Sequence, residues 1–230
     1  MKLFYFTLLF IIPFATFSQT KGTTFGFQFK PIIPIDYFNA GAQNLEDSVI
    51  TVNLSPKFGT NAGVLIRQSI GDKFAIETGI SQTKRNYQIK AKSKVSSTTD
   101  NSDFGFVSYQ IPVQGLFYIQ LSQNIYMNTT AGIGIDMYPS NIFTVGENVY
   151  LSNLTLRRKW LNFSLLANLG LEYRTEEKGT FYFGASLNNP FKNIAVSKFN
   201  YTYTTAKTTQ VSTLLNGNYL SLDFRFFFPD

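Results

Sequence analysis

Apolar and polar residues alternate with period two along most of the chain. In residues 161–173 (LNFSLLANLGLEY) each odd-numbered residue is apolar, and the even-numbered residues are polar or glycine apart from Leu166. Residues 125–138 (IYMNTTAGIGIDMY) show a similar alternation. Successive side chains of a β-strand point to opposite faces of a sheet, so this pattern predicts strands with one apolar and one polar face, not helices.

Eight segments with this alternation predict eight strands, at 25–30, 62–70, 74–81, 107–121, 125–138, 161–173, 181–188 and 219–228. The connections between them alternate in length. Short turns fall at 71–73, 122–124 and 175–179, and long connections at 34–57, 84–103, 139–160 and 189–218. An even number of strands with short turns at one end and long loops at the other is typical of outer-membrane barrels. The predicted fold is therefore all-β, an eight-stranded antiparallel up-and-down transmembrane β-barrel.

The N-terminal residues 1–18 predict an export signal peptide. Lys2 supplies a positive charge, an apolar run covers residues 3–12, and the small residue Ser18 suits a cleavage site before residue 19. A spanning helix needs about twenty apolar residues, and Pro13 interrupts this run. We therefore expect a signal peptide at 1–18, one barrel domain at 19–230 and a location in the cell outer membrane.

The composition narrows the chemistry that the chain can perform. Charged residues make up only 15% of the 230 residues, and aromatic residues make up 17%. His and Cys are absent, which removes the commonest general base, the commonest metal ligand and any thiolate site. We expect no enzymatic activity, metal or cofactor. The net charge of +6 is not gathered into one basic patch, so we expect no nucleic-acid partner.

The polar face of the strands is predicted to point into the barrel. Eight strands enclose a narrow interior, which suits small and polar residues, whereas Phe and Leu suit lipid. Four basic and four acidic residues belong to this inward set: Lys30, Arg67, Glu77, Asp136, Glu172, Arg174, Asp223 and Arg225. Because unpaired buried charges are costly, we expect a connected salt-bridge network with a structural role. There are two alternatives to this structural barrel: a small porin-like channel, and an exported soluble barrel that binds an apolar ligand.

The long connections contain the remaining candidate sites. The segment Arg157-Arg158-Lys159-Trp160 lies where the third long connection meets a strand, so either lipopolysaccharide phosphates or ordinary interfacial anchoring explains its bases. Residues 93–103 predict a polar, mobile loop. The acidic residues Glu46, Asp47, Asp100 and Asp103 are expected to be solvated. Residues 201–204 and 208–214 have strand character.

Three short motifs resemble the PorT-type outer-membrane barrel family of Bacteroidetes. They are 61–65 (NAGVL), 76–80 (IETGI) and 109–113 (YQIPV), in this order, followed by an aromatic-rich final strand at 222–228 (LDFRFFF). Residues 229–230 (PD) after that strand depart from the usual aromatic end. The resemblance implies an outer-membrane barrel with a structural, adhesive, or envelope-assembly and secretion-associated role. It implies outer-membrane lipids, lipopolysaccharide, the barrel-assembly machinery and envelope or secretion proteins as partners.

Overall fold

The computed structural model describes residues 22–35, 40–204 and 207–229. The segment 1–18, predicted to be a signal peptide, lies outside these residues. Thirteen strands are formed: β1 (Thr23–Ile33), β2 (Gln43–Glu46), β3 (Ile50–Ser69), β4 (Phe74–Ser93), β5 (Thr99–Gln120), β6 (Ile125–Met137), β7 (Ile142–Val145), β8 (Leu151–Arg157), β9 (Leu161–Thr175), β10 (Gly179–Pro190), β11 (Ala195–Thr204), β12 (Lys207–Leu215) and β13 (Tyr219–Phe227). Within this part of the chain, no helix is long and apolar enough to cross a membrane.

Eight of the strands pair antiparallel in the order β1-β13-β10-β9-β6-β5-β4-β3. Strand β1 also pairs with β3, so the order returns to the strand from which it began. We call these eight strands the ring, and each contains one of the eight predicted strands. The short turns lie together at one end of the ring, where Gly71 and Gly179 have φ of 81° and 82°, which favours glycine.

The total of eight strands is wrong, because the long connections contain five more. Strand β2 lies in the connection 34–57, β7 and β8 in 139–160, and β11 and β12 in 189–218. Strands β3, β4 and β5 are 20, 20 and 22 residues long and extend past the ring. The predicted mobile loop at 93–103 is correspondingly reduced, because β5 already begins at Thr99.

The extended parts of β3, β4 and β5, together with β2, β7, β8, β11 and β12, form a second region, which we call the head. Its four-stranded sheet has the order β12-β11-β8-β7. Its interior is an apolar core, made of Ile50, Val52, Leu54, Ile89, Ala91, Phe104, Phe106, Tyr138, Leu151, Ile194, Ala195, Phe199, Tyr201 and Leu215. Burial of these side chains stabilises the head as it would a water-soluble domain.

Side chains join the two sheets of the head where their edges meet. On one side, the Thr213 hydroxyl donates to Oε1 of Gln43 over 2.6 Å, which links β12 to β2. On the other side, the Ser102 hydroxyl donates to the backbone oxygen of Val145 over 3.3 Å, which links β5 to β7. The head therefore has a continuous wall although β12 and β2, and β5 and β7, do not pair as ladders.

The two faces of β4 exchange their character part-way along the strand. On the ring, Ile76 points outward and is exposed, while the neighbouring Glu77 points inward and is fully buried. On the head, Ile89 points inward and is buried, while Lys90 points outward and is exposed. The ring therefore has a polar interior and an apolar exterior, and the head has the opposite arrangement.

Strand β5 exchanges its faces at the same level as β4. On the ring, Val113 is exposed on the outer face and Gln114 is buried on the inner face. On the head, the inner face carries the buried Phe106, which lies opposite Arg85 of β4, the last inward polar residue of that strand before the apolar core. The exchange thus occurs at one height on neighbouring strands and is not confined to a single strand.

A β-bulge produces the exchange on β3. Between Lys57 and Thr60, β3 advances by three residues while β4 advances by two. One extra residue turns all later side chains to the opposite face. Val52 before the bulge is consequently buried in the head core, whereas Val64 after it is exposed on the outside of the ring.

Candidate functional site

Six ion pairs connect seven buried or half-buried charges inside the ring. They run in the order Lys30–Asp223–Arg225–Glu77–Arg67–Glu172–Arg174, with N–O distances of 3.2, 2.5, 2.5, 3.0, 2.8 and 2.7 Å. Basic and acidic side chains alternate along this chain of contacts, so each acid lies between two bases. Four basic and three acidic residues take part. We call this set the lumen network.

The lumen network crosses the interior of the ring. Arg67 belongs to β3 and Glu172 to β9, and these strands are on opposite sides of the ring order. Arg225 of β13 likewise reaches Glu77 of β4. Both contacts join strands that share no backbone hydrogen bonds. The network therefore fills the interior and ties the wall together from within.

Aromatic rings lie against the arginines of the lumen network. The Arg67 guanidinium carbon lies 3.7 Å from the ring centroid of Phe227. Arg174, at the short-turn end, lies between Tyr118 and Tyr126, at 4.3 and 4.1 Å from their centroids. Cation–π contacts of this kind stabilise guanidinium groups that have lost water. These arginines are thus held by aromatic contacts as well as by ion pairs.

Asp136 is the one predicted network residue that the structure leaves outside the ion pairs. It is buried inside the ring, and one carboxylate oxygen accepts a hydrogen bond from Nε2 of Gln110 over 2.7 Å. Its other oxygen has no hydrogen-bond partner among the described residues. The expectation that all eight charges connect is therefore wrong for Asp136, which faces a neutral amide instead of a cation.

Arg85 is an interior charge that the sequence analysis missed. Its guanidinium donates to the Ser108 hydroxyl over 2.8 Å and to the backbone oxygen of Gly217 over 3.1 Å, and it lies above the ring of Tyr219. Arg85 fell within a segment interpreted as a loop. Its odd number, shared with the inward residues Glu77 and Thr83 of β4, is the signal that identifies it.

A small polar cavity lies between the lumen network and the head. Its volume of about 20 Å³ is large enough for a water molecule. Lys30, Gln114, Asn168 and Asn188 are among its lining residues. The Asn188 amide and Oδ1 of Asn168 have no hydrogen-bond partner within the described chain, so both are available to bind water here.

The segment Arg157-Arg158-Lys159-Trp160 divides into two environments. Arg157 points back to the wall, where its guanidinium donates to the backbone oxygens of Tyr138 over 2.7 Å and Pro139 over 2.6 Å. Arg158, Lys159 and Trp160 are exposed. Arg157 therefore holds the connection after β6, and the other three residues remain candidates for contact with lipid headgroups.

Asp100 is buried, which corrects the expectation that it is solvated. Its carboxylate accepts hydrogen bonds from the backbone amides of Asn148, Tyr150 and Leu151, each over 2.9 Å. These bonds fix the turn between β7 and β8 against β5. Asp100 therefore organises the head and is occupied by its own chain.

Asp103 and Asp47, which belong to the same set of expected solvated acids, bind their neighbours at the surface. Asp103 accepts from Nζ of Lys57 over 2.7 Å, and both side chains are largely exposed. Asp47 accepts from the Thr209 hydroxyl, and the backbone amide of Ser48 together with this hydroxyl holds the pKa of its carboxyl below the usual range. In the described ranges, no group of three or more acidic side chains is placed to hold a metal ion.

Comparisons with solved structures show a fold similar to that of an outer-membrane protein. OprG from Pseudomonas aeruginosa is similar with 13% identity and a TM-score of 0.54, over 91% of this chain and 97% of that chain. The translocator domain of the autotransporter NalP from Neisseria meningitidis matches with 10% identity and a TM-score of 0.38, over 97% and 93%. No curated protein matches the chain.

One protein-family model matches well over half of the sequence. The family model for the outer membrane protein beta-barrel domain matches residues 17–196, which include β1 to β10 and the first residues of β11. The likeness to OprG agrees with this match at the level of the fold. The chain therefore belongs to the outer membrane protein beta-barrel domain family and is located in the outer membrane.

Proposed function

We propose that this chain is a non-catalytic, integral barrel whose eight-strand ring spans the outer membrane and whose head lies outside the cell. A signal peptide at residues 1–18 directs its export, and the mature chain begins at residue 19. The head acts as a structural, adhesive or envelope-assembly module. Outer-membrane lipids and lipopolysaccharide surround the ring, and the barrel-assembly machinery inserts it.

The exchange of faces at one height is the observation that carries this proposal. Hydrocarbon favours apolar side chains on the outside of a barrel, whereas water favours polar side chains outside and an apolar core inside. The ring has the first arrangement, with Phe27 and Val113 exposed, and the head has the second, with Phe106 buried and Lys90 exposed. A wall that changes at a single level fits a membrane surface at that level.

The orientation follows from the connections. Outer-membrane barrels keep short turns on the periplasmic side and long connections outside the cell. The turns at 70–73, 121–124 and 176–178 are short, and the head is built from the long connections. The head therefore faces the exterior, where it is available to envelope or secretion proteins.

The contents of the ring support a structural barrel over the two alternatives. An exported soluble barrel for an apolar ligand would have an apolar interior, but the ring contains charges. A small porin-like channel would need an open path, but the Arg67–Glu172 and Arg225–Glu77 pairs cross the interior. The lumen network is thus better suited to closing the ring than to conducting ions.

The PorT-type assignment is part of the proposal and rests on motifs in neighbouring strands. Residues 61–65, 76–80 and 109–113 lie in β3, β4 and β5, which pair in this order. A Cβ atom on Gly79 would lie 2.1 Å from the backbone oxygen of Val64, so glycine is required at this contact. Secretion genes beside the gene for this chain would support a secretion-associated role.

Fractionation of cells that express the full chain tests the proposal. We expect the protein in the outer-membrane fraction after washing with carbonate or high salt, and faster migration on gels before boiling than after. In planar bilayers, the purified protein should give no stepwise conductance. Release by salt or carbonate alone would contradict the spanning ring, and regular conductance steps would favour the channel.

A further inference from the structure

A basic pocket lies where the ring meets the head. It has a volume of about 150 Å³, and the connection before β9 and the connection after β10 both line it. Arg158 and Lys159 come from the first connection and Lys192 from the second. No carboxylate is among its described lining residues. The pocket therefore concentrates three cationic side chains from separate parts of the chain.

The three cations of this pocket have no acidic partner among the described residues. None of the ion pairs in the described part of the chain includes Arg158, Lys159 or Lys192, and all three residues are exposed. This differs from Lys57 and Lys94 of the head, which pair with Asp103 and Glu46. Three neighbouring unpaired cations repel one another, so an anion bound between them would be stabilised.

Backbone hydrogen bonds hold the pocket in place. The amide of Arg158 donates to the backbone oxygen of Ile194 over 3.0 Å, which joins the two connections. The side-chain amide of Asn162 donates to the backbone oxygen of Lys192 over 2.8 Å. The backbone positions of Arg158 and Lys192 are thereby fixed before any ligand binds, which reduces the entropy lost on binding.

Exposed aromatic residues flank the pocket on the membrane side. Trp160 follows Lys159, Phe191 precedes Lys192, and both are more than half exposed. The amide of Phe191 donates to the backbone oxygen of Phe163, an outward residue of the ring. Aromatic residues at this height are typical of the border between headgroups and hydrocarbon. A ligand here would meet cations at its polar end and apolar surface below.

We infer that this pocket binds a phosphate group of a phosphorylated glycolipid in the outer leaflet. Arg158 and Lys192 would donate charge-assisted hydrogen bonds to the phosphate, with Lys159 adding a third charge. Trp160 and Phe191 would contact the acyl chains of the same molecule. This inference rests on the proposed orientation of the head and names a lipid partner for it.

Fluorescence of Trp160, the single tryptophan of the chain, reports binding directly. The probes for the detergent-solubilised full chain are bisphosphorylated lipid A, fully dephosphorylated lipid A and inorganic phosphate. The test variant is Arg158→Gln/Lys192→Gln. The control is Lys90→Gln/Lys92→Gln, which removes the same charge from the exposed face of β4. Migration on unboiled gels checks that both variants fold.

We expect lipid A to bind the test variant about tenfold more weakly than the natural chain and to bind the control within about twofold. Dephosphorylated lipid A should bind as weakly to the natural chain as lipid A binds to the test variant. An equal loss of lipid A affinity in both variants, or no loss in either, would contradict binding at this pocket. Displacement of lipid A by millimolar inorganic phosphate would assign the site to free phosphate. The protein could fractionate with the outer membrane and yet bind lipid A equally well with and without these cations. That result would contradict the pocket and leave the proposed function intact.

Discussion

Glu77 and Glu172 each bridge two arginines inside the ring, and these contacts determine how the lumen network contributes to stability. Glu77 binds Arg67 and Arg225, and Glu172 binds Arg67 and Arg174. Removing an ion from water costs several kcal/mol, and a partner of opposite charge offsets this cost only when the geometry is good. The network therefore contributes mainly a specific arrangement of strands, and its members become costly when one partner is missing.

Replacing Glu77 by Leu should destabilise the folded protein by about 3 kcal/mol, because Arg67 and Arg225 stay buried with one partner fewer. Urea unfolding in detergent, followed by circular dichroism, measures the change. Asp103→Asn is the control, because its pair with Lys57 is exposed and should be worth less than about 0.5 kcal/mol. Equal urea midpoints for the two variants would show that Glu77 does not bridge buried arginines.

The lumen network is predictable from sequence only in part. Side-chain parity along the strands places Glu77 and Glu172 on the inward face, and the narrow interior of eight strands implies pairing. Which charges meet depends on distances across the ring, which no local pattern encodes. Asp136 accordingly lies opposite Gln110 rather than a cation, and Arg85 lies beyond the point where the pattern of β4 changes.

Among the structural elements, β3 shows most clearly how one sequence pattern suits both the head and the ring. Its apolar residues keep even numbers on both sides of the bulge at 57–60, yet they face the head core before it and the outside of the ring after it. On β4, which has no bulge here, the apolar residues change from even to odd numbers instead, as Ile76 and Ile89 show. The bulge on β3 and the change of parity on β4 both place apolar side chains inside the head and outside the ring.

This exchange explains why the ring strands are predictable and the extensions of β3, β4 and β5 into the head are not. The strand character at 201–204 and 208–214 is confirmed, because these residues lie in β11 and β12. An alternation that keeps one parity, as in 161–173, identifies a strand with one apolar face. Between Gln82 and Tyr87 the apolar residues of β4 change from even to odd numbers. The alternation breaks there, and the segment resembles the start of a loop. The strand nevertheless continues to Ser93, because its backbone still pairs with β3 and β5.

Deleting Gly59 should prevent the ring and the head from folding together. The deletion removes the extra residue of the bulge, so either Ile50, Val52 and Leu54 leave the head core or the outward residues of β3 turn inward. We expect loss of the fast-migrating form on unboiled gels and accumulation of unassembled chain. Deleting Ser97, in the short connection between β4 and β5, changes length without changing a face and should retain the folded form. Folding of both deletion variants would contradict the role of the bulge.

At the scale of the whole molecule, the barrel has three zones along its axis. The short turns, including Asp72, form one end, the ring with its apolar exterior forms the middle, and the head forms the other end. The lumen network fills the middle zone from within, and the basic pocket lies at the border of the middle zone and the head. The proposed function places the membrane around the ring and the head in water.

Labelling of single cysteines in intact cells tests this placement most directly, because the natural chain contains no Cys. The variants are Lys92→Cys on the head, Ile76→Cys on the ring exterior and Asp72→Cys at a short turn. The reagent is a polyethylene-glycol maleimide too large to pass through the outer membrane. We expect Lys92→Cys to react at once, Asp72→Cys to react only after the outer membrane is permeabilised, and Ile76→Cys to stay unreactive until the protein is denatured. Labelling of Asp72→Cys in intact cells as fast as Lys92→Cys, or free reaction of Ile76→Cys in the membrane, would contradict a ring that spans the outer membrane.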